Sequence, residues 1–129
     1  MSRFTTAALA VAVAAVTTVV AAPGALAKDG DVRIKGTCTT AATSKLKLSA
    51  ENGGIEVEFE VDQNRNGVPW RVTLHRNGSL FATTTATTRA PSGSFTVRRV
   101  VGDSAGVADR IVAVATSRSG ATCRVTGSF

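Results

Sequence analysis

A chain of 129 residues, 43% of them hydrophobic, suffices for one folded domain with its own core. Its formal charge of +6 inclines the surface toward anionic partners, but no Lys/Arg run exceeds the pair Arg98-Arg99, and five Phe and one Trp are too few aromatics for a base-stacking nucleic-acid binder. One histidine, His75, and two cysteines, Cys38 and Cys123, supply neither a spaced set of metal ligands nor a base beside a thiol.

Arg3, an apolar run from Ala7 to Ala22, the breaker Pro23-Gly24 and the small-x-small triplet Ala25-Leu26-Ala27 read as a secretory signal. The run is short for the ~30 Å of a bilayer core, and no Lys/Arg-rich stop follows it. An uncleaved anchor is the competing reading. Cleavage at Ala25 and Ala27 predicts a signal peptide over 1–27 and a single domain over 28–129, secreted and without a membrane span. Arg3 is the only ionisable side chain removed, so the mature domain keeps 14 of the 15 Lys+Arg and all 9 Asp+Glu, a net +5.

After the leader the chain reads as short strands separated by turns. Val32-Arg33-Ile34-Lys35 alternates into Gly36-Thr37-Cys38, and Leu46-Lys47-Leu48 follows a Thr/Ala-rich turn. Ile55 to Asp62 alternates without a slip, with Ile55, Val57, Phe59 and Val61 on one side and Glu56, Glu58, Glu60 and Asp62 on the other. Asn52-Gly53 is a hairpin signal between these two strands. A two-residue turn sets Leu48 opposite Val57, Lys47 opposite Glu58 and Lys45 opposite Glu60. A looser loop sets Leu48 opposite Ile55, with Lys47 beside Glu56. Either register lays a basic comb beside an acidic one, so the glutamates read as structural.

Pro69 to Arg76 points Trp70, Val72 and Leu74 inward, and Asn77-Gly78 turns it into Ser79-Leu80-Phe81 and a threonine run suited to an exposed edge strand. Pro91-Ser92-Gly93 precedes the alternating Phe95-Thr96-Val97-Arg98. Ile111 to Ser117 and Ala121 to Gly127 form a final hairpin about Arg118-Ser119-Gly120. Seven or eight strands at this spacing, with no helical period after the leader, predict an all-β antiparallel sandwich. In an exported chain the pair Cys38 and Cys123 reads as a disulfide tying the first strand to the last.

Lone inward Trp70, on the strand after the central one, together with the C-terminal hairpin, resembles the immunoglobulin and fibronectin type III plan. That resemblance implies one sheet of 45–49, 55–62 and 94–101 facing another of 69–76, 79–87, 109–117 and 121–127, with 31–38 beside the last strand. The mature chain is also similar to a group of small uncharacterised exported proteins of actinomycetes. The residues that carry this likeness are Lys45-Leu46-Lys47, the run Ile55 to Asp62, Asn64-Arg65-Asn66-Gly67, Trp70 and the run Ser92 to Val97. It implies an extracellular or cell-wall setting and brings no activity with it.

Three features bear on function. Gly102-Asp103-Ser104-Ala105-Gly106 fits G-x-S-x-G, but the base that a Ser104 nucleophile needs could only be His75, expected outward in mid-strand, and a strand rather than a helix follows. Asp62, Asn64 and Asn66 match the first half of a calcium loop, with Thr73 where the bidentate Glu would stand. The loops 62–69, 87–94 and 117–121 should cluster at one end of the sandwich, where each brings an arginine: Arg65, Arg89 and Arg118. The opposite end would gather Glu51, Asp103 and Asp109.

These readings predict a monomeric, non-catalytic extracellular or cell-surface module without a cofactor. Its partner would be an anionic wall or extracellular polymer, or another protein. The alternative is a small secreted effector that inhibits an enzyme or carries a ligand, and a hydrolase at Ser104 comes third.

Overall fold

The computed structural model describes residues 30–104 and 106–129, so the leader and its cleavage site at Ala25 and Ala27 lie outside the described residues. Nine strands and no helix occur among the described residues: β1 (Val32–Lys35), β2 (Thr37–Cys38), β3 (Thr43–Glu51), β4 (Gly54–Asp62), β5 (Pro69–Arg76), β6 (Ser79–Thr87), β7 (Ser94–Gly102), β8 (Arg110–Ser117) and β9 (Thr122–Ser128). They form two antiparallel sheets, β1-β3-β4-β7 and β2-β9-β8-β5-β6, which are the layers of a β-sandwich.

The alternation in β4 does what its period requires. Ile55, Val57, Phe59 and Val61 are fully buried while Glu56, Glu58 and Glu60 remain partly exposed. Each such buried side chain contributes roughly 1.5–3 kcal/mol. Trp70, Val72 and Leu74 of β5 meet them from the other layer, as do Ile111 and Ala113 of β8. The Trp70 ring lies 6.4 Å from that of Phe95, tilted by 52°, so an aromatic pair joins the two sheets.

The tighter of the two β3–β4 registers is the one adopted. Asn52 and Gly53 take φ of 44° and 78°, the handedness a two-residue hairpin turn needs, and Leu48 lies opposite Val57, Lys47 opposite Glu58 and Lys45 opposite Glu60. From β4 the chain crosses to the other layer for the β5–β6 hairpin. It returns to place β7 beside β4, then crosses again to lay β8 against β5, and β9 follows as a hairpin. The threonine-rich β6 is an edge strand.

The stretch 31–38, expected as one strand beside the last, divides at Gly36. β1 pairs with β3 in the four-stranded sheet, and only β2 pairs with β9. The reason is a close approach. A Cβ at Gly36 would lie 2.2 Å from Ser44 Oγ and 2.7 Å from the Arg124 carbonyl oxygen, so only glycine lets the chain change layers there. Just beyond it, Cys38 and Cys123 stand opposite one another on β2 and β9 and form a disulfide that spans 85 residues.

Candidate functional site

The loops at one end of the sandwich are tied by backbone bonds. Gln63 N donates to Gly93 O (3.0 Å), Gly67 N to Thr88 O (2.7 Å) and Thr88 N to Val68 O (2.9 Å). Thr88 is almost completely buried, and its hydroxyl accepts from Val68 N (2.9 Å) while donating to Arg65 O (2.6 Å). Gly93 lies at φ +71°, and a Cβ there would come within 2.2 Å of Arg65 N. The loops after β4 and β6 therefore behave as one body. Trp70 Nε1 donates to Gln63 Oε1 (3.0 Å), anchoring that body to the core.

The β8–β9 loop joins at the same end, because Trp70 pairs with Ser117 across one side of β5 and with Ala86 across the other. Ser117 Oγ lies 2.9 Å from Ser119 Oγ and accepts from Ala121 N (3.2 Å), which holds the turn that presents Arg118. Arg65, Arg89 and Arg118 are all exposed and none forms an ion pair with an acid among the described residues.

The three guanidinium groups do not share one hollow. Arg118 lines a cavity of about 300 Å³ beside Trp70, together with Pro69, Arg71, Thr85, Thr116 and Ser117. Arg89 lines another of about 500 Å³ across β6, and Thr85 belongs to both. Arg65 lies in the exposed loop between β4 and β5.

Asp62, Asn64 and Asn66 make a turn. Asp62 Oδ1 accepts from Asn64 N (2.9 Å), and Asn64 takes φ 55°, so the carboxylate is occupied in closing its own loop. Among the described residues no group of three His, Cys, Asp or Glu side chains converges to hold a metal.

At the opposite end the G-x-S-x-G stretch belongs to a buried polar cluster. Asp109 is fully buried and accepts from Arg76 Nε (3.0 Å), Asn77 Nδ2 (2.8 Å) and Ser104 N (2.8 Å). The Arg76 guanidinium also donates to Ser104 Oγ, and Asn77 Oδ1 accepts from Arg110 N (2.8 Å). Asp109 and Phe129 exchange two backbone bonds, 2.8 and 2.9 Å, which close the sandwich at its C-terminus. Asp109, expected at this end with Glu51 and Asp103, stands at the centre of its interior, compensated by Arg76. A serine hydroxyl that accepts from a guanidinium is not thereby activated, since a nucleophile needs a base to take its proton.

The outer face of the four-stranded sheet is a charge ladder. Lys45 meets Glu60 at 3.3 Å, Lys47 meets Glu58 at 3.4 Å, and Arg98 contacts Glu58 directly and Glu56 at 3.9 Å. On β1's side Asp31 bridges Arg33 (3.3 Å) and Lys47 (3.6 Å). Glu56 has its pKa raised, chiefly by a side-chain hydrogen bond with Glu51 and then by desolvation, with Arg98 opposing.

Sequence reasoning missed Arg71, which shares a cavity with Arg118, and the hub role of Asp109. Neither belongs to a motif. Arg71 stands out only once β5 is placed between β6 and β8. The chain matches no family model, no curated protein and no solved structure.

Proposed function

We propose that the chain is a secreted, non-catalytic extracellular module of the immunoglobulin or fibronectin type III plan, which meets an anionic partner at the end bearing Arg65, Arg89 and Arg118. The fold reading is supported by the strand order. Three strands, β3-β4-β7, face four, β9-β8-β5-β6, with sheet changes after β4, β6 and β7, and the divided β1–β2 segment adds to one edge of each layer. The disulfide in so small a domain suits an oxidising extracellular setting.

One observation carries the binding reading. Loops from three different parts of the chain lie at one end, two of them bonded to each other, and each presents an exposed arginine with no acidic partner among the described residues. A guanidinium fork grips carboxylate or phosphate with two parallel hydrogen bonds. A carrier of an apolar ligand is less well served, because two arginines, Arg71 and Arg118, line the cavity beside Trp70. The Asp109 cluster supports a structural role for Ser104.

The test is retention of the mature domain on anionic wall polymer at low and high salt, beside a variant with Arg65, Arg89 and Arg118 all changed to Ser. The parent should bind and be released by salt, and the variant should bind at least about tenfold more weakly. Equal binding by the two removes this site.

A further inference from the structure

The two sheets carry charge in opposite ways. Acids and bases alternate across the outer face of the four-stranded sheet, whereas β2, β5, β6, β8 and β9 contain no Asp or Glu at all. Their outward positions hold Arg71, Arg110 and Arg124 among threonines, with His75, Val112 and Val114 between. Arg76, the other arginine within β5, is committed to Asp109.

Register turns this composition into rows. One row runs Thr122, Thr116, Arg71, Thr85 across four strands. In the next, Arg124 stands between Thr37 and Val114, with Thr73 beyond. Strand spacing and rise place Arg71 and Arg124 roughly 12 Å apart on the diagonal. Both are exposed and unpaired among the described residues, and Arg118 extends the first row across the 300 Å³ cavity toward the loop end.

Each threonine hydroxyl both donates and accepts, which suits sugar hydroxyls, and each guanidinium suits a carboxylate. The Phe and Trp side chains of these strands are buried or packed against the core, so nucleic-acid bases find no stacking platform on this face. We propose that the outer face of the five-stranded sheet, entered at the Arg71–Arg118 cavity, binds a linear polysaccharide that carries carboxylates. This deepens the proposed binding reading and rests on it, extending the contact from the loop end along the sheet.

The experiment is affinity electrophoresis of the mature domain in gels containing polygalacturonate, with a neutral glucan, poly(glycerol phosphate) and single-stranded DNA as comparison polymers. Two double variants are run beside the parent, Arg71→Ser with Arg124→Ser, and Arg65→Ser with Arg89→Ser. The face variant should lose about tenfold or more in affinity for polygalacturonate, and the loop variant should lose several-fold less than the face variant. The neutral glucan should not retard the parent. Should the serine face variant melt well below the parent, Arg71→Lys with Arg124→Lys keeps the charge, removes the fork and should still weaken binding. Loss in the loop variant alone overturns the face as the site while leaving the proposed function standing. Equal retention by poly(glycerol phosphate) or DNA overturns the polysaccharide assignment, and a parent that binds no polymer overturns both.

Discussion

At each end of the sandwich a buried polar side chain ties the loops together, and the two differ in charge. At the loop end it is Thr88, whose neutral hydroxyl satisfies Val68 N and Arg65 O. At the other it is Asp109, a carboxylate that draws in Arg76, Asn77 and Ser104. A buried carboxylate demands a cation, so the Asp109 end consumes an arginine. A buried hydroxyl demands none, so the arginines of the loop end remain outside, available to something else. The chemistry of the plug decides whether an end of the domain draws an arginine inward.

The strongest way to break this comparison is to remove the charged plug. Asp109→Ala leaves Arg76, Asn77 Nδ2 and Ser104 N without their acceptor and should cost about 3 kcal/mol in urea unfolding, with no change in polymer binding at the loop end. A loss below about 1 kcal/mol would mean the cluster is incidental. Thr88→Val keeps the shape and deletes the hydroxyl, so it should cost about 1–2 kcal/mol. Because it frees the Arg65 carbonyl, it should also loosen the β4–β5 loop, seen as faster amide exchange at Gly67 and Val68.

The smallest effect belongs to the acid ladder, where Glu58, Lys47 and Arg98 each have two partners. A carboxyl with a raised folded pKa favours the protonated form, so its contribution is present in acid and fades as pH rises through that pKa. Glu56→Gln, which mimics the protonated state, should match the parent at pH about 3 and be slightly more stable at pH about 7. A variant less stable than the parent at neutral pH would show that the Arg98 contact outweighs the Glu51 contact.

The layers were legible wherever local pattern decides them. The alternation from Ile55 to Asp62 needs no partner to be read, and Asn52-Gly53 favours the tight register through its own backbone preference. The division at Gly36 was not legible, because it depends on Ser44 and Arg124 arriving from elsewhere in the chain. The burial of Asp109 was not legible for the same reason. In sequence it ends a Gly-rich loop and looks solvated, and its principal partner, Arg76, lies 33 residues away. Arg65, Arg89 and Arg118 could be assigned to one end from topology alone. That Arg118 shares its cavity with Arg71 and not with the other two could not, since it requires knowing which strand flanks β5.

The divided first strand and its bridge determine how the domain bears tension. If it is pulled from its two ends, load enters through β1 and β9 and reaches Cys38 and Cys123 almost at once. The bridge short-circuits everything between them. Among the described residues, 30–37 and 124–129 lie outside the bridge, roughly 50 Å of chain, whereas reduction would release a further length of roughly 300 Å from the 85-residue span. Arg71 and Arg118 lie inside the protected span and Arg124 lies one residue outside it, so a stretched domain would give up one corner of its arginine face and keep the cavity.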